Sequence, residues 1–159
     1  MAPVGGGAAH VLLPDALYQA THARWSPDGR AIVFVANHGV HTQLMQVDVA
    51  TRRVTALTSG DHTVSAWRMD ARTGAHVFTV TTTTRPGEVY LLAPGVAMRR
   101  VTSVFEFVET RYTVARQEKL TWRGQDGHDV EGQLYDPVNY QAGAALSAAG
   151  LHARWPGGV

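Results

Sequence analysis

"WSPDGRAIVFVAN", Trp25 to Asn37, carries the clearest structural signal in the chain. Its first half is turn chemistry. Ser26 can bond nearby backbone, Pro27 presets the first central residue and Gly29 closes the chain back. Ser26-Pro27-Asp28-Gly29 therefore predicts a type I turn. The second half, Ala31 to Ala36, is an apolar run of strand length. In a strand Ile32 and Phe34 face one way and Val33 and Val35 the other. Both faces are apolar, so this strand is predicted to be covered on both sides.

Further along, "QLMQVDV" (Gln43 to Val49) reads as the next strand. Thr51 falls in the turn "ATRR", and "RRVTALT" reads as the strand after it. The pattern then returns. "WRMDARTGAHVFTVTT" opens at Trp67, 42 residues after Trp25, and Asp70 follows Asp28 by the same 42. Val77-Phe78 follows Val33-Phe34 by 44, with the two extra residues in the turn "ARTG". "EVYLLAPGVAMRRVTSV" repeats "QLMQVDVATRRVTALT", with "RRVT" shared. Arg85-Pro86-Gly87-Glu88 predicts a type II turn, Pro and then Gly at its centre. "TVTTTT", Thr79 to Thr84, reads as β-prone strand, and "FEFVETRYTVARQEKL" as mostly extended. "PVGGGAAHVLLPD" has the form of a closing hairpin from an earlier unit. Short strands and turns repeating every 40–45 residues or so are the signature of β-propeller blades. A plain β-meander with coincidental spacing is the alternative.

Bulk properties narrow the functions. The 159 residues are 45% hydrophobic and 17% charged, enough for one modest domain. A net charge of +1 leaves no electrostatic footprint for nucleic acid or an anionic membrane. No apolar run reaches membrane-span length. "MAPVGGGAAHVLLPD" lacks a basic head followed by an apolar stretch, so it does not read as a signal peptide, and a cytoplasmic location is expected. The absence of Cys excludes disulfides, thiolate metal sites and a Cys nucleophile. Gly5-Gly6-Gly7 follows no strong strand and opens no helix, so it is not read as a phosphate loop. The histidines are His10, His22, His38, His41, His62, His76, His128 and His152. His38 and His41 lie close together without a carboxylate at ligand spacing, and are read as solvated loop residues. No cofactor and no metal are expected.

The repeat and the residues after it resemble a family. "WSPDGR", an apolar strand and an "LT"-like close are typical of blades in the prolyl oligopeptidase family of serine peptidases and in TolB-like propellers. "LTWRGQDGHDVEGQLYDPVNY", Leu120 to Tyr140, is similar to the junction from propeller to hydrolase in acylaminoacyl-peptidase-like members, through Trp122, Asp126-Gly127, Val130-Glu131-Gly132 and Pro137. Taken by itself, that stretch is a hairpin with Asp126-Gly127 as its turn. The resemblance implies an all-β partial propeller over residues 1–117, the first strands of an α/β-hydrolase domain over 118–144, and a tail over 145–159. It also implies hydrolysis of short peptides by the complete parent protein, with the propeller limiting access. In the family a "GxSxG" elbow supplies the nucleophile, followed by Asp and His. The five serines here, Ser26, Ser59, Ser65, Ser103 and Ser147, lie in no such motif. No catalytic, cofactor-binding or metal residue is therefore expected, and the chain is expected to be inactive alone. Self-association through exposed blade edges is a further expectation. A stand-alone propeller that binds a partner is the alternative function, although such a module needs no hydrolase junction; a fragment without function is another.

The end of the chain, "ALSAAGLHARWPGGV", shows no strand pattern where the resemblance implies "PLLVYxHGGPGG". Of the 14 basic residues 13 are Arg, which with abundant Ala and Gly suggests a GC-rich gene. Read one base later, Ala145 to Val159 can encode Arg-Phe-Pro-Leu-Leu-Val-Tyr-Met-His-Gly-Gly-Pro-Gly-Gly. Most positions are permitted by wobble; Trp155 before Pro156 forces a Gly. A frameshift near Gly143 to Ala145 is expected, with an ordinary tail as the alternative.

Overall fold

The computed structural model describes Met1, residues 4–138, Tyr140 and, for backbone alone, residues 151–154. Eleven strands and one short helix are present among them. The first eight strands form two antiparallel meanders of four. Meander one holds β1 (Gln19–Trp25), β2 (Ala31–His38), β3 (His41–Asp48) and β4 (Val54–Ala56). Meander two holds β5 (His62–Met69), β6 (His76–Thr82), β7 (Glu88–Leu92) and β8 (Arg99–Arg100). The two touch edge to edge once, where β3 meets β5 in parallel at Thr42 and Thr63. The helix α1 (Glu106–Arg111) then leads to β9 (Gln117–Arg123) and β10 (Asp129–Tyr135), and β11 (Leu151–Arg154) pairs with the other edge of β10.

The repeat is one of backbone geometry as well as sequence. Thr21 faces Val35 and Arg24 faces Val33, with a bulge between; Ser65 faces Thr79 and Arg68 faces Val77, with the same bulge. Every one of these positions recurs at a spacing of 44. Within the bulge His22 (φ 55°) and Ala66 (φ 48°) both adopt the left-handed region, at a cost of about 1–2 kcal/mol each for residues with a Cβ. Bulges strengthen local twist, and the two meanders carry theirs at equivalent positions.

Strand β2 has the predicted double burial, and its two faces belong to different cores. Val33, Val35 and Leu44 on the far face of meander one pack with Val64, Trp67, Phe78 and Val80 of meander two. This is the core between the meanders. On the near face, Phe34, Ala36 and Val47 are covered by Leu12, Leu13 and Tyr18, with Tyr18 stacked on Phe34 at 6.0 Å. Ahead of them Met1 and His10 exchange backbone hydrogen bonds of 2.6 and 2.7 Å, as facing residues of a hairpin do.

A buried polar residue at the start of each third strand passes the chain onward. Gln43 accepts a hydrogen bond from the Thr58 hydroxyl at 2.8 Å and donates to the Gly60 carbonyl at 2.8 Å. In meander two Glu88 accepts from the Thr102 hydroxyl, and from the Phe105 N–H at 2.6 Å. The same threonines accept the N–H of Leu44 and of Val89, each at 2.9 Å. Burial opposes the charge on Glu88, but the Thr102 hydroxyl, the Phe105 and Val104 N–H groups and Arg100 together hold its pKa below the ordinary value.

Several sequence expectations are corrected. The structure aligns Trp25 with Met69, not Trp67, because the bulge and not the indole fixes the register. Thr102 does the work of Thr58, so the shared "RRVT" is out of step with the structural repeat. The strand read over "RRVTALT" is only Val54–Ala56, since Leu57 and Thr58 turn back to the Leu44 carbonyl. Gly87 is absent from the left-handed region that a type II turn requires; the turn closes earlier, from the Thr82 N–H to the Arg85 carbonyl at 2.9 Å. The stretch after Phe105 is extended only in part, because Glu106–Arg111 is helical. Within the tail, Leu151–Arg154 forms a strand although its side-chain pattern gives no sign of one; pairing to an open sheet edge uses backbone groups, which any sequence supplies. The rest of the tail and of the frameshift region lies outside the described residues.

Candidate functional site

The hairpin of β9 and β10 docks against one end of the two meanders, and the contact leaves a polar cleft of about 230 Å³. The hairpin forms as the sequence predicts. Gly127 takes φ 80° in its turn, and the Gly127 N–H reaches the Gly124 carbonyl at 3.0 Å. From β10, Glu131 accepts the Val40 N–H at 3.2 Å, in the turn between β2 and β3. The preceding residue, Gly39, sits at φ 62°, and a Cβ there would overlap the Glu131 carboxylate. Glycine is needed twice over, for the conformation and for the approach. Glu131 also pairs with Lys119 at 3.1 Å. Burial opposes its charge, but Lys119 and the Val40 N–H outweigh that and lower its pKa. Across the cleft Gln117 donates to the Thr83 carbonyl at 2.8 Å and accepts from Gln133 at 2.8 Å. These contacts fix the hairpin to both meanders at once.

Three titratable groups from the meanders line the cleft. His41 lies 3.5 Å from Asp61, and its side chain is 16% exposed, so it is not the solvated loop residue its position suggests. His38 is exposed, as expected. His62 is 7% exposed, and its Nε2 has no hydrogen-bond partner among the described residues. Burial first, and the nearby His41 second, push its pKa below 6.5, against the pull of Asp61. Burial thus disfavours its charged form. Its burial was not legible in the sequence, because it depends on meander one covering β5.

A larger cavity of about 590 Å³ lies at the opposite end, between the turns of the two meanders, lined among others by Pro27, Met69, Gly74, His76 and Leu92. Its buried His76 accepts the Trp67 indole N–H at 3.3 Å, which places the ring proton on Nε2. Burial lowers its pKa too. That histidine supports the indole and is not poised as a base.

The serines are dispersed. The Ser26 hydroxyl serves its turn, bonding Asp28 at 2.6 Å and receiving the Ala31 N–H at 2.9 Å. Ser65 bonds Thr79 at 2.6 Å. Ser59 and Ser103 are exposed in connecting segments, and Ser147 lies outside the described residues. Among the described residues no three His, Asp or Glu side chains gather as a metal site, and no helix is long and apolar enough to cross a membrane. The chemistry of the cleft is that of a joint: the Val40–Glu131 and Gln117–Thr83 hydrogen bonds link one sheet to the other.

No protein-family model and no curated protein matches the sequence. Solved structures do match the fold. Acylaminoacyl peptidase in complex with Z-Gly-Gly-Phe-chloromethyl ketone aligns with a TM-score of 0.67 at 18% identity, over 86% of this chain and 21% of that one. Pyrococcus horikoshii acylaminoacyl peptidase in its orthorhombic form gives 0.63 at 17%, over 80% and 19%. The AtxE2 isopeptidase without ligand gives 0.62 at 17%, over 80% and 20%. The chain spans about a fifth of the length of these structures, and at this identity the likeness is one of fold.

Proposed function

We propose that the chain is a segment of a serine-type peptidase of the prolyl oligopeptidase family, carrying the last two blades of a β-propeller and the opening strands of an α/β-hydrolase domain. The carrying observation is the joint itself. Two meanders on one plan are followed, after the short helix α1, by a hairpin docked on both through Glu131 and Gln117. The aligned share supports this reading, because at least 80% of the chain exceeds what Gln19–Arg100 can supply alone. In this reading the cleft at His41 and His62 lies on the propeller-to-hydrolase boundary, and the blades restrict which peptides reach the active site of the whole protein. Hydrolysis of short peptides belongs to that whole protein. This chain has no activated nucleophile and is inactive alone.

The tail is then an out-of-frame copy of an "HGGP" loop. That loop brings backbone close to a substrate oxygen, where Arg154-Trp155 would stand in the way. One DNA read tests both statements. Read one base later from about codon 145, the gene should encode "PLLVYMHGGPGG" or a near variant, then a "GxSxG" elbow followed by Asp and His. A stop within a few codons, or no Gly-Gly-Pro, removes the frameshift. Labelling of the isolated chain by a fluorophosphonate at any of its five serines would overturn its inactivity.

A further inference from the structure

The cavity of about 590 Å³ at the end away from the hairpin is walled by both meanders. Its floor is apolar. Leu57, Met69 and Leu92 pack on the core between the meanders, yet they are only half-buried, and they line the cavity. Its mouth is braced where three turns meet. A Cβ built at Gly74, between β5 and β6, would lie 3.5 Å from Pro27, between β1 and β2, and 3.5 Å from Pro94, between β7 and β8. The volume is that of a small-molecule pocket, in the range of about 300–1,000 Å³. One hydrogen-bond donor stands in the wall. His76 is 8% exposed and lines the cavity. An indole N–H only donates, so the bond from Trp67 takes the Nδ1 lone pair and leaves the proton on Nε2. No acceptor among the described residues meets that Nε2–H, and the atom is not sealed from solvent. Asp28 is the one charged side chain among those lining the cavity. The Ser26 hydroxyl and the Arg30 N–H hold its pKa below the ordinary value, so it is a carboxylate at neutral pH. An anion would meet this charge and no cation to offset it.

We propose that this cavity binds a small neutral carbonyl compound, an amide or ester carrying one aromatic or branched apolar group. The carbonyl oxygen accepts the His76 Nε2–H, and the apolar group rests on Leu57, Met69 and Leu92. An apolar floor supplies affinity by burial, and a single donor set in it fixes orientation. The donor gains because a carbonyl oxygen replaces loosely held water with a bond of equal kind. The site lies at the end opposite the joint. It rests on the packing of the two meanders and not on the peptidase reading, and it stands or falls separately from that reading.

The test titrates the whole chain with N-benzylacetamide at pH 7.5 and follows the imidazole nitrogens by NMR, with 3-phenylpropionate as an anion of similar shape. The amide should move the His76 Nε2 and its proton along a saturating curve. The anion should bind at least about fivefold more weakly, as one like-charge contact in water implies. Two variants fill the mouth from exposed lining positions, Ala56→Trp and Val96→Trp. In meander two Arg100 pairs with Tyr90 as Ala56 pairs with Met45, so this strand position accepts a long side chain. Each variant should lose the saturating shift while its circular dichroism stays that of the parent. Four results would overturn the proposal: no saturating shift with the amide, a shift that spares the His76 Nε2, an anion that binds as tightly as the amide, or undiminished binding in either folded variant.

Discussion

Meander one and meander two follow the same path with the same bulge and the same threonine close, yet they solve burial differently. In meander two the near face rests on a full sheet. In meander one the corresponding face, with Phe34, Ala36 and Val47, rests on Leu12, Leu13 and Tyr18 from a single irregular segment. Leu13 stands where Leu57 stands one repeat later, and Leu57 packs into the core between the meanders. A sheet resists local collapse; a segment can shift to fill a gap. The path of the chain is therefore common to both meanders, and the neighbour decides how much each residue contributes.

The largest effect should come from the core between the meanders. Phe78 is 1% exposed within it, and Phe78→Ala should destabilise by about 3–5 kcal/mol in urea unfolding. Phe34→Ala, at the equivalent position, should cost about 1 kcal/mol less, because the covering segment can move in. Equal losses would mean that the segment is as rigid as a sheet. Next come the polar residues that hand the chain on. Glu88→Ala strands the Phe105 N–H and the Thr102 hydroxyl, and Gln43→Ala strands Thr58. The loss for Gln43→Ala should be about 1–3 kcal/mol. Glu88→Ala should lower the melting temperature further than Glu88→Gln, which copies the solution of meander one. If Glu88→Gln melts no higher than Glu88→Ala, the charge itself is what matters.

Smaller still is the contrast between Val33 and Val77. Val33→Ala should cost about 1–2 kcal/mol and Val77→Ala less than about 0.5 in the monomer, in proportion to the area each removes from water. Weakest is a pH effect confined to one meander. His62 and His76 stand where meander one has Tyr18 and Ile32. Burial leads in lowering both pKa values below 6.5, so the folded state binds fewer protons than the unfolded state just below that pH. Their contribution is whole above pH 6.5 and is lost as pH falls towards the folded values. Hydrogen exchange should accelerate in β5 and β6 before β1 and β2 on mild acidification, and His62→Tyr should shrink the gap. Carboxylates held below their ordinary values, such as Asp70 and Glu109, lose their contribution only at lower pH.

What could be read from sequence tracked the range of the interaction. Strand β2 and the Asp126-Gly127 turn depend on neighbours a few residues away, and alternation and turn chemistry report those directly. The repeat was visible, but two look-alikes misled its register. Trp25 resembles Trp67 and "RRVT" resembles itself, whereas the geometry pairs Trp25 with Met69 and Thr58 with Thr102. The bulge that sets the register carries His22 in one copy and Ala66 in the other, so no side chain announces it. The joint was less legible. Glu131 is an ordinary acidic residue until Gly39 comes within reach, 92 positions away in the chain, and His41 and His62 look like loop histidines until two sheets close over them.

The single core between the meanders sets how stability grows with size. Each unit must fix its own loops and strands, and only contacts between units offset that cost. An open row of two units has one such contact, or half a contact for each unit. Longer open rows approach one contact per unit, and a closed ring reaches it outright. Within this chain, then, cohesion is rationed by count: the two meanders share one core between sheets, and the near face of meander one is closed instead by Leu12, Leu13 and Tyr18.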